Sequence, residues 1–143
     1  MNCYMKYLTL FCFLFLVPVV YSQTCNLTIT IPNLKSQKGE IQIGLYNKRE
    51  DFPKDDKQYK LFFIDVKTFS GKFTIKDLPK GEYAVALMHD ENADKICNMN
   101  FLGIPKEGYG FSKNVRPIFS APSYNECKIN LQSDMSITIK LIY

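Results

Sequence analysis

Alternation of apolar and polar residues is the feature that most restricts how this chain can fold. Cys25, Leu27, Ile29 and Ile31 alternate with polar residues. The same period of two recurs at 41–45, 73–75, 83–87, 127–131 and 137–141. A further run, residues 59–66, is more uniformly apolar. A period of two places successive side chains on opposite faces of a strand. Short strands separated by turn residues, with no helical periodicity, predict an all-β fold, a seven-stranded antiparallel β-sandwich.

The first 22 residues have a different character. Lys6 is their only charged residue, and an apolar run from Tyr7 to Val20 is broken by Pro18. Such a run is short for a bilayer span and is typical of a signal peptide. We therefore expect residues 1–22 to be a signal peptide and residues 23–143 a single exported domain, periplasmic or secreted, with no membrane span in the mature chain. Cys25 follows Thr24 rather than a small residue, so lipidation is not expected.

The charge of the chain is modest and mixed. Its net charge of +4 falls to +3 without Lys6, and basic residues are scattered among acidic ones. Nucleic-acid binding needs a basic patch or stripe, so we expect no nucleic-acid partner. Eight of the twelve residues from Asn47 to Gln58 are charged, which indicates a solvated loop or a docking surface.

Residues 90–126 show no strand or helix pattern and are where a site is expected. They contain five aromatic residues, Phe101, Tyr109, Phe111, Phe119 and Tyr124. Disordered segments are poor in aromatic residues, so this long loop should be ordered. Long ordered loops in compact domains are uncommon and often functional.

The start of this loop resembles a calcium loop. Asp90, Asn92 and Asp94 offer side-chain oxygens at alternate positions. A calcium loop of this type also has a glycine at its sixth position and a glutamate at its twelfth. Lys95 and Phe101 stand there instead. We therefore expect no tight calcium site, no metal and no cofactor, and interpret the run as a polar turn.

His89 is the only histidine of the chain. Alternation places it on the same strand face as Val85 and Leu87, where a hydrogen-bonded structural histidine is expected. An enzyme acting on envelope glycans or peptides would instead use His89 with Asp90 and Glu107. No nucleophile motif accompanies these residues.

Residues 103–112 form the most distinctive stretch of the loop. Glycines flank Tyr109, and glycine permits backbone angles that other residues resist. One interpretation is a rim that presents Glu107, Tyr109 and Ser112 to a ligand. The other is an irregular loop folded over the edge of the sandwich, with Ile104 and Phe111 buried.

Three cysteines, Cys25, Cys97 and Cys127, remain in residues 23–143. In an exported protein a disulfide is the usual state. If neighbouring strands alternate in direction, Cys97 and Cys127 lie at the same end of the sandwich. Cys25 would then be a strand length away, whereas a disulfide needs Cα atoms within about 7 Å. This argument predicts a Cys97–Cys127 disulfide and a free Cys25.

The segments LPKGEYAVALMHDENAD, FLGIPKEGYGFS and APSYNEC occur in this order. In the content and order of these segments, the chain closely resembles a bacterial exported family, domain-of-unknown-function family 2141. The resemblance covers nearly all of residues 23–143. The resemblance implies secretion and a transthyretin-like (prealbumin-like) sandwich, without a known activity. It carries over ten residues as a candidate site, namely His89, Asp90, Asn92, Gly103, Pro105, Glu107, Gly108, Gly110, Phe111 and Ser112. Asp94, Lys95 and Cys97 depart from the acidic loop of the family.

These observations favour a non-catalytic binding or accessory module of the cell envelope. Its partner would be an extracytoplasmic protein or glycan held by the loop of residues 90–126. The candidate binding residues are His89, Asp90, Asn92, Glu107, Tyr109 and Ser112. Two alternatives remain, the envelope enzyme described above and a purely structural domain whose loop only covers the core.

Exported protein should begin at Gln23, because signal peptidase is expected to cut after Ser22. N-terminal sequencing and intact mass measurement of secreted or periplasmic material test this expectation. A mature chain that retains Lys6 would contradict the export argument. A diacylglycerol mass on Cys25 would contradict the absence of lipidation.

Overall fold

The computed structural model describes residues 23–101 and 105–143. The expected signal peptide, Gly103 and Ile104 therefore lie outside the described residues. The described chain forms eight strands: β1 (Thr24–Thr30), β2 (Glu40–Tyr46), β3 (Lys60–Asp65), β4 (Lys72–Pro79), β5 (Gly81–Asp90), β6 (Gly108–Phe111), β7 (Ile129–Leu131) and β8 (Met135–Thr138). A one-turn helix, α1, spans Tyr124–Cys127. In these residues, no helix has the length and apolar character needed to cross a membrane.

The strands form two sheets. One has three strands in the order β4-β1-β8, and the other has the order β3-β2-β5-β6, with β7 also paired to β5. The all-β expectation is confirmed, but the expected seven antiparallel strands are wrong in two respects. There are eight strands, and β1 pairs with β8 in parallel. The prealbumin-like type of sandwich stays a prediction.

The alternating apolar residues build the main core. Leu27 and Ile29 of β1 are fully buried, as are Ile41 and Ile43 of β2 and Val85 of β5. They belong to one cluster that also includes residues of β4 and β7. Burial of each such side chain stabilises the fold by roughly 1.5–3 kcal/mol relative to exposure. The period of two in the sequence therefore corresponds to the inward faces of the sheets.

Strand β6 lies inside the stretch that was expected to be irregular. Its glycines are required for space rather than for unusual backbone angles. A Cβ atom on Gly108 would lie 2.5 Å from Cε1 of Tyr143, and one on Gly110 would lie 3.0 Å from Cγ2 of Ile139. The backbones of Tyr109 and Ile142 exchange two hydrogen bonds, of 2.9 and 2.7 Å. The C-terminal segment therefore pairs with the edge of β6 through Ile142, while the side chains of Ile139 and Tyr143 pack against its two glycines.

Helix α1 replaces the expected start of a strand at Cys127. Ser123 precedes the helix, and the carboxylate of Glu126 accepts a hydrogen bond from the backbone N–H of Ser123, at 2.7 Å. These two residues form a capping box, which stabilises the first turn of a helix. The strand itself begins at Ile129.

A second apolar cluster covers part of the outer face of the five-stranded sheet. We call it the aromatic cluster. Phe52, from the loop between β2 and β3, contacts Tyr46, Phe111 and Tyr124 edge-on, with ring centroids 5.1, 6.0 and 6.1 Å apart. Cys127 is buried in the same cluster. The charged loop of residues 47–59 is thus anchored to the sheet by one aromatic side chain.

The expected Cys97–Cys127 disulfide is not present, and Cys25, Cys97 and Cys127 are all free thiols. The predicted pairing is wrong because strand β6, which was not expected from the sequence, carries the chain back along β5 before it reaches Cys127. The hydroxyl of Ser112 accepts from the backbone N–H of Val85 and donates to the carbonyl of Cys127. Cys127 therefore lies beside the middle of β5 rather than at its Asp90 end.

Residues 23–143 should contain three free thiols when denatured and one reactive thiol, Cys97, when native. Cys25 and Cys127 are buried, and burial raises the pKa of Cys127 to about 11. Burial and the nearby Asp55 and Glu107 also raise the pKa of Cys97. Its labelling should therefore be slow at neutral pH and faster in alkali, since the thiolate is the reactive form.

Thiol titration with a chromogenic disulfide reagent measures these rates, and Cys97→Ser is the matched control that should lose the native reaction. A cross-linked Cys97–Cys127 peptide in a non-reducing digest would contradict the free thiols.

Candidate functional site

The end of β5 directs two candidate residues to opposite faces of the five-stranded sheet. Both His89 and Asp90 are fully buried. Because side chains alternate along a strand, His89 lies on the inner face with Leu87, whereas Asp90 lies on the outer face with Met88. The structure therefore separates His89 from Asp90 instead of combining them in one site.

His89 is a structural residue. Its Nε2 lies 3.0 Å from the backbone carbonyl of Lys38, and its Nδ1 lies 2.9 Å from the hydroxyl of Tyr143. A carbonyl only accepts, so Nε2 carries the proton and Nδ1 accepts from Tyr143 in the neutral ring. The Tyr143 hydroxyl accepts in turn from the backbone N–H of Lys35. Both ring nitrogens are therefore engaged in hydrogen bonds within the fold.

Ser112 is also occupied by the fold. Its side chain is fully buried, and its Oγ joins Val85 of β5 to the carbonyl of Cys127, the latter at 2.7 Å. The hydroxyl therefore holds the end of β6 and the end of α1 against β5. Because the Ser112 side chain has no exposed surface, it cannot contact a ligand in this conformation, although the sequence made it a candidate binding residue.

A cleft of about 220 Å³ opens on the outer face of the five-stranded sheet. Gly44 of β2 and Ala86 and Met88 of β5 form its floor. One wall is the charged loop. The opposite wall comes from Lys95, Cys97, Met99 and Pro105. We call the described residues between β5 and β6, 91–101 and 105–107, the acidic loop. Tyr109 and Phe111 of β6 line the same cleft, and a ligand-binding role for Tyr109 stays a prediction.

The polar groups of the cleft are mostly neutral. Burial, with a smaller contribution from Asp55, raises the pKa of Tyr46 to about 12, so its hydroxyl keeps its proton. That hydroxyl donates to the backbone carbonyl of Lys54, at 3.2 Å. The ammonium group of Lys95 lies 4.9 Å from the centre of the Phe63 ring, a cation–π contact. The cleft thus combines an apolar floor with a few polar groups at its edge.

Three carboxylates lie at one end of the same sheet. Glu40 of β2 is directly opposite Asp90 of β5. Glu107 immediately precedes Gly108, the β6 residue that pairs with His89, and its carboxyl interacts with that of Asp90. Directly paired residues of antiparallel strands project from the same face. We call Glu40, Asp90 and Glu107 the carboxylate row.

The acidic loop folds back onto this row. Oδ2 of Asp90 accepts hydrogen bonds from the backbone N–H of Lys95, at 2.7 Å, and from the amide of Gln42, at 3.2 Å. Asp94 accepts from the side-chain amides of Asn92 and Asn98, at 2.9 and 2.8 Å. Together with the backbone N–H of Ile96, these amides lower the pKa of Asp94, so it carries a negative charge. The turn expected from sequence is present, with an ionised carboxylate at its centre.

Glu107 is 7% exposed and experiences repulsion from its neighbours. Burial raises the pKa of its carboxyl, and the negative charges of Asp90 and Asp94 raise it further. Nearby backbone N–H groups act in the opposite direction with a smaller effect. Glu107, Asp90 and Asp94 are therefore close enough to interact, although sequence alone could not place them together.

The carboxylate row is not a preformed metal centre. Within residues 23–101 and 105–143, no three His, Cys, Asp or Glu side chains are grouped closely enough to hold a metal ion by themselves. Any cation bound here would need amide or backbone oxygens as further ligands. The expectation of no metal site stays a prediction at this point.

Sequence reasoning missed the floor of the cleft and one member of the carboxylate row. Residues 83–88, YAVALM, contain no charged residue and one polar group, which is typical of a strand buried on both faces. That signal could have predicted a covered outer face with Ala86 and Met88 on it. Nothing in the sequence marked Glu40 as a site residue, because it is one of several polar residues in an alternating strand.

Comparison with known proteins identifies the family to which this chain belongs. Residues 29–139 match the family model described as an uncharacterized protein conserved in bacteria, DUF2141. No curated protein and no solved structure matches the chain. The matched range runs from β1 past β8 and includes the carboxylate row and the whole cleft. The chain therefore belongs to DUF2141, a family of uncharacterized proteins conserved in bacteria.

Proposed function

We propose that this protein is a non-catalytic binding or accessory module of the bacterial cell envelope, and that the cleft between the charged loop and the acidic loop is its partner surface. The observation that carries the proposal is a cleft with an apolar floor that is lined by the exposed apolar side chains of Leu61 and Met99. An exported location, periplasmic or secreted, is part of the proposal and rests on the expected signal peptide.

The rim of the cleft includes two exposed apolar side chains, Leu61 and Met99, and further exposed apolar residues lie close to them in sequence. In the acidic loop, Ile96, Met99 and Phe101 are 63%, 57% and 95% exposed. On the adjacent strand β3, Leu61 and Phe63 are 39% and 44% exposed, and Leu61 lines the cleft. Contiguous exposed apolar side chains mark interaction sites more often than isolated ones do. The arrangement supports a partner that covers this rim.

The size of the cleft favours a protein partner. Pockets for drug-sized molecules and cofactors usually measure about 300–1,000 Å³. At about 220 Å³ the cleft suits one or two side chains of a partner. Its apolar floor of Gly44, Ala86 and Met88 would receive an apolar side chain, while Gln42 and Gln58 at its edge offer hydrogen bonds. A glycan would instead require several polar groups along the floor.

The alternative of an enzyme has weaker support. Its three candidate residues do not share a face, since His89 lies within the core and both of its ring nitrogens are engaged. Asp90 and Glu107 lie on the other side of the sheet. The purely structural alternative leaves the exposed Met99 and Phe101 without a role.

Ala86→Leu should weaken binding of apolar peptide side chains, because the larger side chain fills the floor of the cleft. The probe is the blocked tripeptide acetyl-Ala-Phe-Ala-amide, added to ¹⁵N-labelled protein of residues 23–143. We expect shifts of the amide signals of Gly44, Ala86 and Tyr109. The variant should bind at least about tenfold more weakly, a loss of roughly 1.4 kcal/mol.

Ser136→Leu is the matched control, since Ser136 is exposed on β8 of the other sheet and should leave peptide binding unchanged. A response to N-acetylglucosamine oligosaccharides with none to peptides would favour the glycan partner. A response to the peptide that Ala86→Leu preserves would exclude the cleft as its binding site.

A further inference from the structure

The described residues leave three buried side-chain polar atoms without a hydrogen-bond partner, and all three belong to the carboxylate row. They are Oε2 of Glu40, Oδ1 of Asp90 and Oε2 of Glu107. Asp90 is fully buried and Glu107 is 7% exposed. A buried carboxylate oxygen without a partner costs free energy, so native structures pair such groups or bind them to metal ions. Because the carboxyls of Asp90 and Glu107 interact with each other, their unpaired oxygens indicate a missing positive partner between them.

No side chain supplies that positive charge. In the part of the chain that the structure describes, the single ion pair joins Lys128 to Glu82, which lies at the start of β5 and not at its Asp90 end. Lys95 is adjacent in sequence to Asp94, but its ammonium group lies over the ring of Phe63. Negative charge therefore accumulates at the Asp90 end of the sheet without an internal counter-charge.

The geometry brings together oxygens from two separate segments. Asp90 ends β5, and Glu107 immediately precedes β6, its neighbour in the sheet. The acidic loop between them adds the carboxylate of Asp94 and the side chains of Asn92 and Asn98. Lys95 adopts a positive φ of 63°, which allows the tight turn that brings its N–H to Asp90.

We propose that Asp90 and Glu107, together with oxygens of the acidic loop, bind a calcium ion at this end of the five-stranded sheet. Calcium accepts six to eight oxygen ligands in flexible geometry, including carboxylates, amide oxygens and backbone carbonyls. Magnesium requires stricter octahedral geometry, and zinc favours His and Cys ligands. His89, the only histidine, lies on the other face of the sheet with both nitrogens engaged.

Glu107 explains why a calcium site was not expected from the sequence. Residues 90–101, which resemble a calcium loop, have no glutamate at their end. Glu107 lies outside the run, and the pairing of β5 with β6 supplies it. Because the loop lacks a glycine at Lys95, we expect an affinity typical of extracellular calcium modules, with a Kd on the order of 10⁻⁴–10⁻³ M. This is compatible with the expected absence of a tight site.

Thermal unfolding of residues 23–143 tests the proposal, first in EDTA and then in 10 mM calcium chloride. Calcium should raise the Tm by roughly 5 °C or more, from the expected affinity and the size of the domain. Glu107→Gln and Asp90→Asn should each remove most of this rise. In EDTA both variants should be at least as stable as the wild type, because each removes a buried negative charge that no cation balances.

Glu91→Gln is the matched control, since Glu91 is an exposed neighbour with the same charge and should retain the calcium response. Isothermal titration with calcium alone gives the Kd of each variant. A wild-type Tm that calcium does not change would overturn the proposal, as would an equal rise in Glu107→Gln. A rise with magnesium or zinc but not with calcium would overturn the assignment to calcium. The result does not depend on the cleft, which the Ala86→Leu experiment tests separately.

Discussion

Strand β5 is the element on which the rest of the structure depends. It pairs with β2 on one side and with β6 and β7 on the other, and both of its faces are covered. Its inner residues join the main core, and its outer residues form the floor of the cleft. The pairing along its length also sets the position of every candidate residue. Displacing β5 by one residue would exchange the faces of His89 and Asp90 and would destroy both the core contact and the carboxylate row.

The sequence predicted those strands whose inward side chains are themselves large and apolar. β1, β2 and β5 were evident because Leu27, Ile43 and Val85 report the buried face directly. β6 was missed for a physical reason. Its inward positions are Gly108 and Gly110, and the apolar atoms that fill the space come from Ile139 and Tyr143, about 30 residues further along the chain. A local pattern cannot show a buried face that another segment fills.

The candidate site shows the same limit. Asp90, Glu107 and Tyr109 could be proposed from the sequence because they stand in distinctive motifs. Their relation could not be predicted, since it depends on the register between strands that are distant in the sequence. Glu40 joins them only through its pairing with Asp90. Conversely, His89 and Ser112 stood in the same motifs, yet the fold uses their polar atoms internally. In each case the residue type suggested a chemical role. The strand face on which each side chain lies determines whether it can reach a ligand.

The parallel pairing of β1 with β8 affects the order in which the chain can fold. These strands contact each other across a sequence separation of 108 residues, measured between Asn26 and Asp134. A chain that emerges N-terminus first, from a ribosome or through a translocation channel, therefore has no partner for this edge of β1 until nearly all of it has emerged. Contacts of such long range slow folding, because the closure entropy is lost before the contact is gained. The three-stranded sheet therefore cannot be completed until β8, the last strand of the described chain, is available to pair with β1.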